Sequence, residues 1–284
     1  MKQINTYITE KLKLNIDSCV KRQYRFQPRD KEDLRDLIDN LIEYHDKNEK
    51  IIDLNDIDIS RITDMSYLFY KKRSIDIDVS DWDVSNVTNM ECMFAECDNF
   101  NSDLSDWDVS KVTNMHGMFT NCKNFNSDLS NWDVSNVKNM CYMFSECKKF
   151  NCDLSKWDIS NVRTTEGMFE YCDNFNSDLS EWDVSNVTTM FNMFLRCKIF
   201  NSDLSNWDVS NIENISYMFK CCEKFNSDLS KWDVSKVKYM DCTFYGCEKF
   251  NSDLSKWDVS AVQQMKDTFK GCNLLKKTPD WYRR

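Results

Sequence analysis

Fourteen cysteines, two long columns of aspartate and a pair of histidines are the side chains in this 284-residue sequence that could do chemistry. Cys97, Cys122, Cys147, Cys172, Cys197, Cys222, Cys247 and Cys272 recur every 25 residues. Thiols in that number could form a disulfide framework or bind metal as thiolates. The 25-residue interval fits no zinc-ligand spacing, and only His45 and His116 could supplement the sulfur. Disulfides between adjacent members of the column would break the identical geometry of successive copies. The spacing therefore reads best as small, buried, reduced thiols.

One aspartate column runs from Asp83 to Asp258, between Trp and Val (Ile159 in one copy), and a second runs from Asp78 to Asp253. Carboxylates stacked at strand spacing repel by about 1 kcal/mol per neighbour in water, so something must offset this in every copy. Two readings stand. Cations such as Ca²⁺ could bridge successive copies, or each carboxylate could accept backbone amides and serine hydroxyls and so fix a turn. The glycine-rich nonapeptide of calcium-binding repeats is absent, which favours the turn. Neither histidine has a Cys or Ser at a nucleophile–base spacing, and a chain with four glycines carries no phosphate loop. The expectation is a protein that is not an enzyme, with no catalytic residue, no metal site and no cofactor.

The elements that must carry these columns repeat with the same period. Trp falls at 82, 107, 132, 157, 182, 207, 232 and 257, and a fixed period of this length is the signature of a repeat array. In the copy LSDWDVSKVTNMHGMFTNCKNF, Trp107 and Val109 stand two apart around Asp108, the spacing of a strand with one buried face. Val112, Met115, Met118/Phe119 and Cys122 follow at steps of three and four, the period of a short amphipathic helix. Ser110 stands where that helix would want an N-cap. Parallel strands in register would form columns of Leu, Trp, Val and Phe about 4.8 Å apart. The fold expected is an α/β solenoid: strand–short helix units sharing one parallel sheet, behind an N-terminal helical cap.

Three segments follow. Residues 1–50 form an N-terminal region whose first 28 residues show no clear period. Its capping helix is marked by Leu34, Leu37, Ile38, Leu41 and Ile42, with Asp30 as N-cap. Residues 51–275 hold about nine units, the first a worn copy in which Ile57-Asp58-Ile59-Ser60 replaces Trp-Asp-Val-Ser. Residues 276–284 close the array, with Trp281 expected as a lid over Trp257. Gly246 and Gly271 precede a column cysteine where a left-handed residue would suit glycine. Other residue types fill that place elsewhere, which argues that the conformation is not obligatory.

The residue before each Trp behaves differently from the rest of the unit. Asp81, Asp106, Asn131, Lys156, Glu181, Asn206, Lys231 and Lys256 change charge from copy to copy. Such positions on a constant scaffold are where contacts to a partner are written. A net charge of −10 opposes phosphate backbones and excludes nucleic acid as the expected partner. No apolar run is long enough for a membrane span, and the N-terminus lacks a secretory core, so the expected place is the cytoplasm.

The unit WDVSNVTNMECMFAECDNFNSDLS resembles the BspA-like repeat family, a domain of unknown function with the pattern W-x-V-S-x-V-x-x-M-x-x-M-F. That family occurs in bacterial surface proteins, mycoplasmas and giant DNA viruses. The resemblance covers about residues 51 to 275. It implies a leucine-rich-repeat-like stack, with Leu104-x-x-Trp107-x-Val109 in the place of the strand pattern, and it brings no catalytic residues. Asn, Lys, Ile and Cys usage is closer to the giant-virus branch, which implies a host cytoplasm or a virion. Two functions are carried forward. One is a non-enzymatic scaffold for an unidentified protein partner. The other is a structural or adhesive surface element stabilised by cations along the aspartate columns.

Overall fold

The computed structural model describes residues 24–44, 51–74 and 76–282 of the chain. The region before residue 24 and His45 lie outside the described residues. Among the described residues there is one helix, α1 (Lys31–Glu43), and it buries Leu34, Leu37 and Ile38 on one face. The Asp30 carboxylate accepts the Asp33 N–H at 2.9 Å, so the N-cap is where the sequence puts it. Lys31 bridges α1 to Asp64 at 2.9 Å, and Lys72 reaches Asp39 at 2.6 Å. These ion pairs fix the helix against the first, worn repeat.

The strand–helix solenoid is not what the repeats build. Among the described residues the paired strands are β1 (Ile51–Asp53) and β2 (Asp76–Asp78), parallel with Ile52 opposite Ile77. Elsewhere neighbouring repeats share one isolated parallel bridge each, for example Asn89 to Asn114 and Asn114 to Asn139. The rest of the described residues in each repeat are turn and coil, and none of them is helical.

Side-chain oxygens explain the missing strands. Around Trp107 the main-chain donors are already taken. Leu104 N–H goes to Ser127 Oγ at 3.0 Å, Ser105 N–H to Asp103 Oδ1 at 3.0 Å, and Ser110 N–H to Asp108 Oδ1 at 3.0 Å. Trp107 N–H closes a turn on Leu104 O at 3.1 Å. Ser, Asp and Asn offer the backbone local acceptors that compete with a ladder. The in–out alternation of Trp107, Asp108 and Val109 survives as burial, exposure and burial.

Left-handed residues explain the missing helix. Gly117 and Asn121 both have φ of 59°. Their amides leave the repeat, Gly117 N–H to Cys141 O at 2.8 Å and Asn121 N–H to Ser145 O, while Met118, Thr120 and Cys122 close turns onto the third residue before them. Positive φ at the third residue of a four-residue turn is the type II signature. The same two positions are left-handed in every repeat from Tyr67 and Lys71 to Asp267 and Gly271. The conformation that glycine suits at Gly246 and Gly271 is thus adopted by Lys71, Glu96, Asn121, Glu146, Tyr171, Arg196 and Cys221 as well. For an L residue this costs on the order of 1 kcal/mol, and the bond to the next repeat offsets it.

Beneath this skin the expected columns are present. Leu129, Trp132, Val134, Phe144 and Phe150 are buried, as are their counterparts in neighbouring repeats. Trp107 lies parallel to Trp132 with centroids 6.4 Å apart, and Phe119 to Phe144 at 5.7 Å. Each indole N–H donates to a carbonyl in the repeat before, as Trp132 does to Leu104 O at 2.9 Å and Trp107 to Val79 O at 3.1 Å. Trp281 stacks on Trp257 at 6.2 Å and donates to Leu254 O at 2.8 Å. It takes the place of a ninth repeat tryptophan although it arrives one residue early.

Candidate functional site

The turn from Leu104 to Trp107 decides which side chain faces outward. Its first and last residues are buried and bonded to each other, so the residue before Trp sits at the crest. Asp81, Asp106, Asn131, Lys156, Glu181, Asn206, Lys231 and Lys256 are all exposed, one per repeat and in register. Two shallow grooves run between repeats beside this row. One, of about 720 Å³, is lined by Lys231 and Lys256 with Asp228 and Asp253. The other, of about 450 Å³, is lined by Glu181 and Asn206 with Asp178 and Asp203. Asp81, Asp106, Asn131 and Lys156 line neither groove.

The aspartates of both columns act as turn acceptors. Asp128 Oδ1 accepts the Ser130 N–H at 2.9 Å and Asp133 Oδ1 the Ser135 N–H at 3.0 Å, two residues on in each case. The Ser130 amide, with the Ser130 hydroxyl behind it, holds the Asp128 carboxyl below its ordinary range, and Ser110 does the same for Asp108, hydroxyl first. Ser110 is therefore not a helix cap: its N–H is the donor, and Asp108 is the acceptor that closes a turn.

Two further ladders escape the sequence reading. Ser227 Oγ accepts Leu204 N–H at 2.8 Å and donates to Asp203 Oδ1 at 3.2 Å, tying adjacent repeats through a buried hydroxyl. Asn126 Oδ1 accepts Asn151 N–H at 2.8 Å, and Asn151 Oδ1 in turn accepts Asn176 N–H at 2.8 Å. The signal was the recurrence of Asn-Ser-Asp across copies, with Cys152 the one exception from Asn101 to Asp253. It reads as generic turn chemistry until the partner repeat is in place.

The cysteine column is a ladder too. Cys122 Sγ donates to Phe94 O at 2.9 Å and Cys147 Sγ to Phe119 O at 3.0 Å. Burial pushes these thiols well above their ordinary pKa, and brings Cys97 and Cys272 up to about 12. They stay protonated at neutral pH, as an S–H donor must. The described cysteines are free thiols, and among the described residues no three His, Cys, Asp or Glu cluster as metal ligands would. His116 is half-buried with the Tyr142 ring edge-on at 6.0 Å.

The face where the repeats differ most is the turn corner, not the row before Trp. Here Tyr142 donates to Glu166 at 2.6 Å, and Lys220 lies 5.1 Å from both Tyr217 and Tyr245. None of the described helices is long and apolar enough to cross a membrane. No match is found among the curated proteins, and none among the solved structures. One family model recognises the repeats three times in overlapping tandem, over residues 39–133, 103–198 and 171–281, and so spans most of the chain. By that match the chain belongs to the family described as Mycoplasma protein of unknown function, DUF285.

Proposed function

We propose that the protein is a non-enzymatic scaffold that binds another protein through the exposed row Asp81, Asp106, Asn131, Lys156, Glu181, Asn206, Lys231 and Lys256. The observation that carries this reading is the contrast between a constant support and a changing crest. The buried Trp and the Asp–Ser turn recur in each copy, while the residue above them runs from two acids at one end to two lysines at the other. A partner bound along it is selected by charge order, which is how a repeat surface writes specificity.

The test is affinity capture with the unaltered chain and with a Lys231→Glu, Lys256→Glu variant of unchanged melting temperature. A partner held by the first and lost by the second supports the reading; identical captures remove it. The second reading, a structural or adhesive element held by cations, draws on the two exposed carboxylates per repeat. Calcium titration followed by thermal melting decides it, since binding to the folded state alone must raise the melting temperature.

A further inference from the structure

The corner of each repeat hands four amides to the repeat that follows. Met240, Cys242, Phe244 and Gly246 donate to the carbonyls of Gln264, Lys266, Thr268 and Lys270 at 2.8 to 2.9 Å. Among the described residues no further repeat follows the one that ends near Leu275, and the equivalent N–H groups of Met265, Asp267, Phe269 and Gly271 have no acceptor there. Of the described C-terminal residues, Trp281 stacks on Trp257 and Tyr282 lies edge-on to Phe269 at 5.1 Å. Beside the open amides lies a cleft of about 700 Å³ lined by Met265, Lys266, Phe269, Lys270, Leu275 and Tyr282. At the opposite end α1 is fastened over the first repeat by Lys31 and Lys72.

We propose that this C-terminal end face takes an acidic, extended segment of a partner protein, pairing main chain to main chain as one more repeat corner. The row offers donors only, so its occupant must present carbonyls at alternate residues, the logic of strand addition at an open edge. A second copy fits poorly. Two end faces brought together by a two-fold axis set N–H against N–H, and the carbonyl end of another copy is the one that α1 occupies.

Charge names the partner's chemistry. Lys266 and Lys270 are exposed at the cleft, where Asp267 is the one carboxylate among the lining residues. The chain already holds such a pairing. Its basic corner at Lys71, Lys72 and Arg73 receives the acidic corner from Glu91 to Asp98. Met65, Tyr67, Phe69 and Lys71 donate there to Asn89, Glu91, Met93 and Ala95 at 2.8 to 2.9 Å, and Arg73 pairs with Glu96. The proposal rests on the interaction reading above and adds a second surface to it.

The experiment uses the full chain and a labelled synthetic peptide copying Asn89–Asp98, with Cys92→Ser and Cys97→Ser. Fluorescence anisotropy should give saturable binding that weakens about tenfold in a Lys266→Glu, Lys270→Glu variant and with added salt. Deuterium exchange should slow at the amides of Met265, Asp267, Phe269 and Gly271. A peptide that does not bind, or protects other amides, overturns the proposal. Self-association of the chain that depends on Lys266 and Lys270 overturns it too, because a second copy would then fill the face. Peptide binding should be indifferent to Lys231→Glu and Lys256→Glu, so failure at this end and failure of the row before Trp are read separately.

Discussion

Sulfur stands in for oxygen at one rung of the serine ladder, and the substitution gives a measure of what a rung contributes. Leu129 N–H reaches Cys152 Sγ at 3.1 Å where Leu104 N–H reaches Ser127 Oγ at 3.0 Å. Sulfur is the weaker acceptor, so Cys152→Ser should stabilise the protein by about 0.5 to 1 kcal/mol and raise its melting temperature. A lower melting temperature would mean that the ladder does not carry stability. The left-handed positions are read the same way. A Cβ on Gly167, at φ of 59°, would lie 2.4 Å from the Tyr142 ring. Gly167→Ala should cost about 1 to 3 kcal/mol, and adding Tyr142→Ala should restore the steric part. If the double variant melts no higher than the single one, the ring is not the obstacle. Little of this was legible in the sequence. Gly117 and Gly167 share their place with Tyr67, Tyr142 and Tyr217, so composition at that column hides its conformation.

The turn is the element that the sequence reading mistook twice and also partly understood. Apolar steps at Val112, Met115, Met118 and Cys122 identified which residues are buried. Helix and compact turn series share such steps, and only φ at Gly117 and Asn121 separates them. The Trp107–Val109 alternation likewise located the buried face but not the hydrogen bonds, because neighbouring side chains supply them. The aspartates were read correctly as turn acceptors, and this sets a pH dependence. Serine hydroxyls and amides lower the carboxyl pKa of Asp108, Asp158, Asp208 and Asp233 in the folded state. A lowered folded value means stability that is present above the unfolded carboxylate range near pH 4 and lost as pH falls through the folded values. Glu170, raised by its burial, works in the opposite sense and is outnumbered. Melting temperature should therefore hold near neutrality and fall below about pH 4; a flat or rising profile there would contradict the turn assignment.

On the scale of the whole molecule, repeats are joined by rungs of different chemistry at the same period. Indole to leucine carbonyl, thiol to phenylalanine carbonyl, serine to leucine amide and asparagine to asparagine each link a repeat to its neighbour. The 25-residue period was visible in the sequence, and so were the departures from it at Ile57 and Trp281. The open amide row was not, because it exists only once repeats are stacked. Indole N–H exchange, followed by NMR with assigned tryptophan side chains, tests the stacking most directly. Trp82 through Trp257 are buried and bonded to a carbonyl one repeat back. These indoles should exchange together and far more slowly than a free indole, with the half-exposed Trp281 leading. Exchange of the interior indoles at the free rate would contradict the stack.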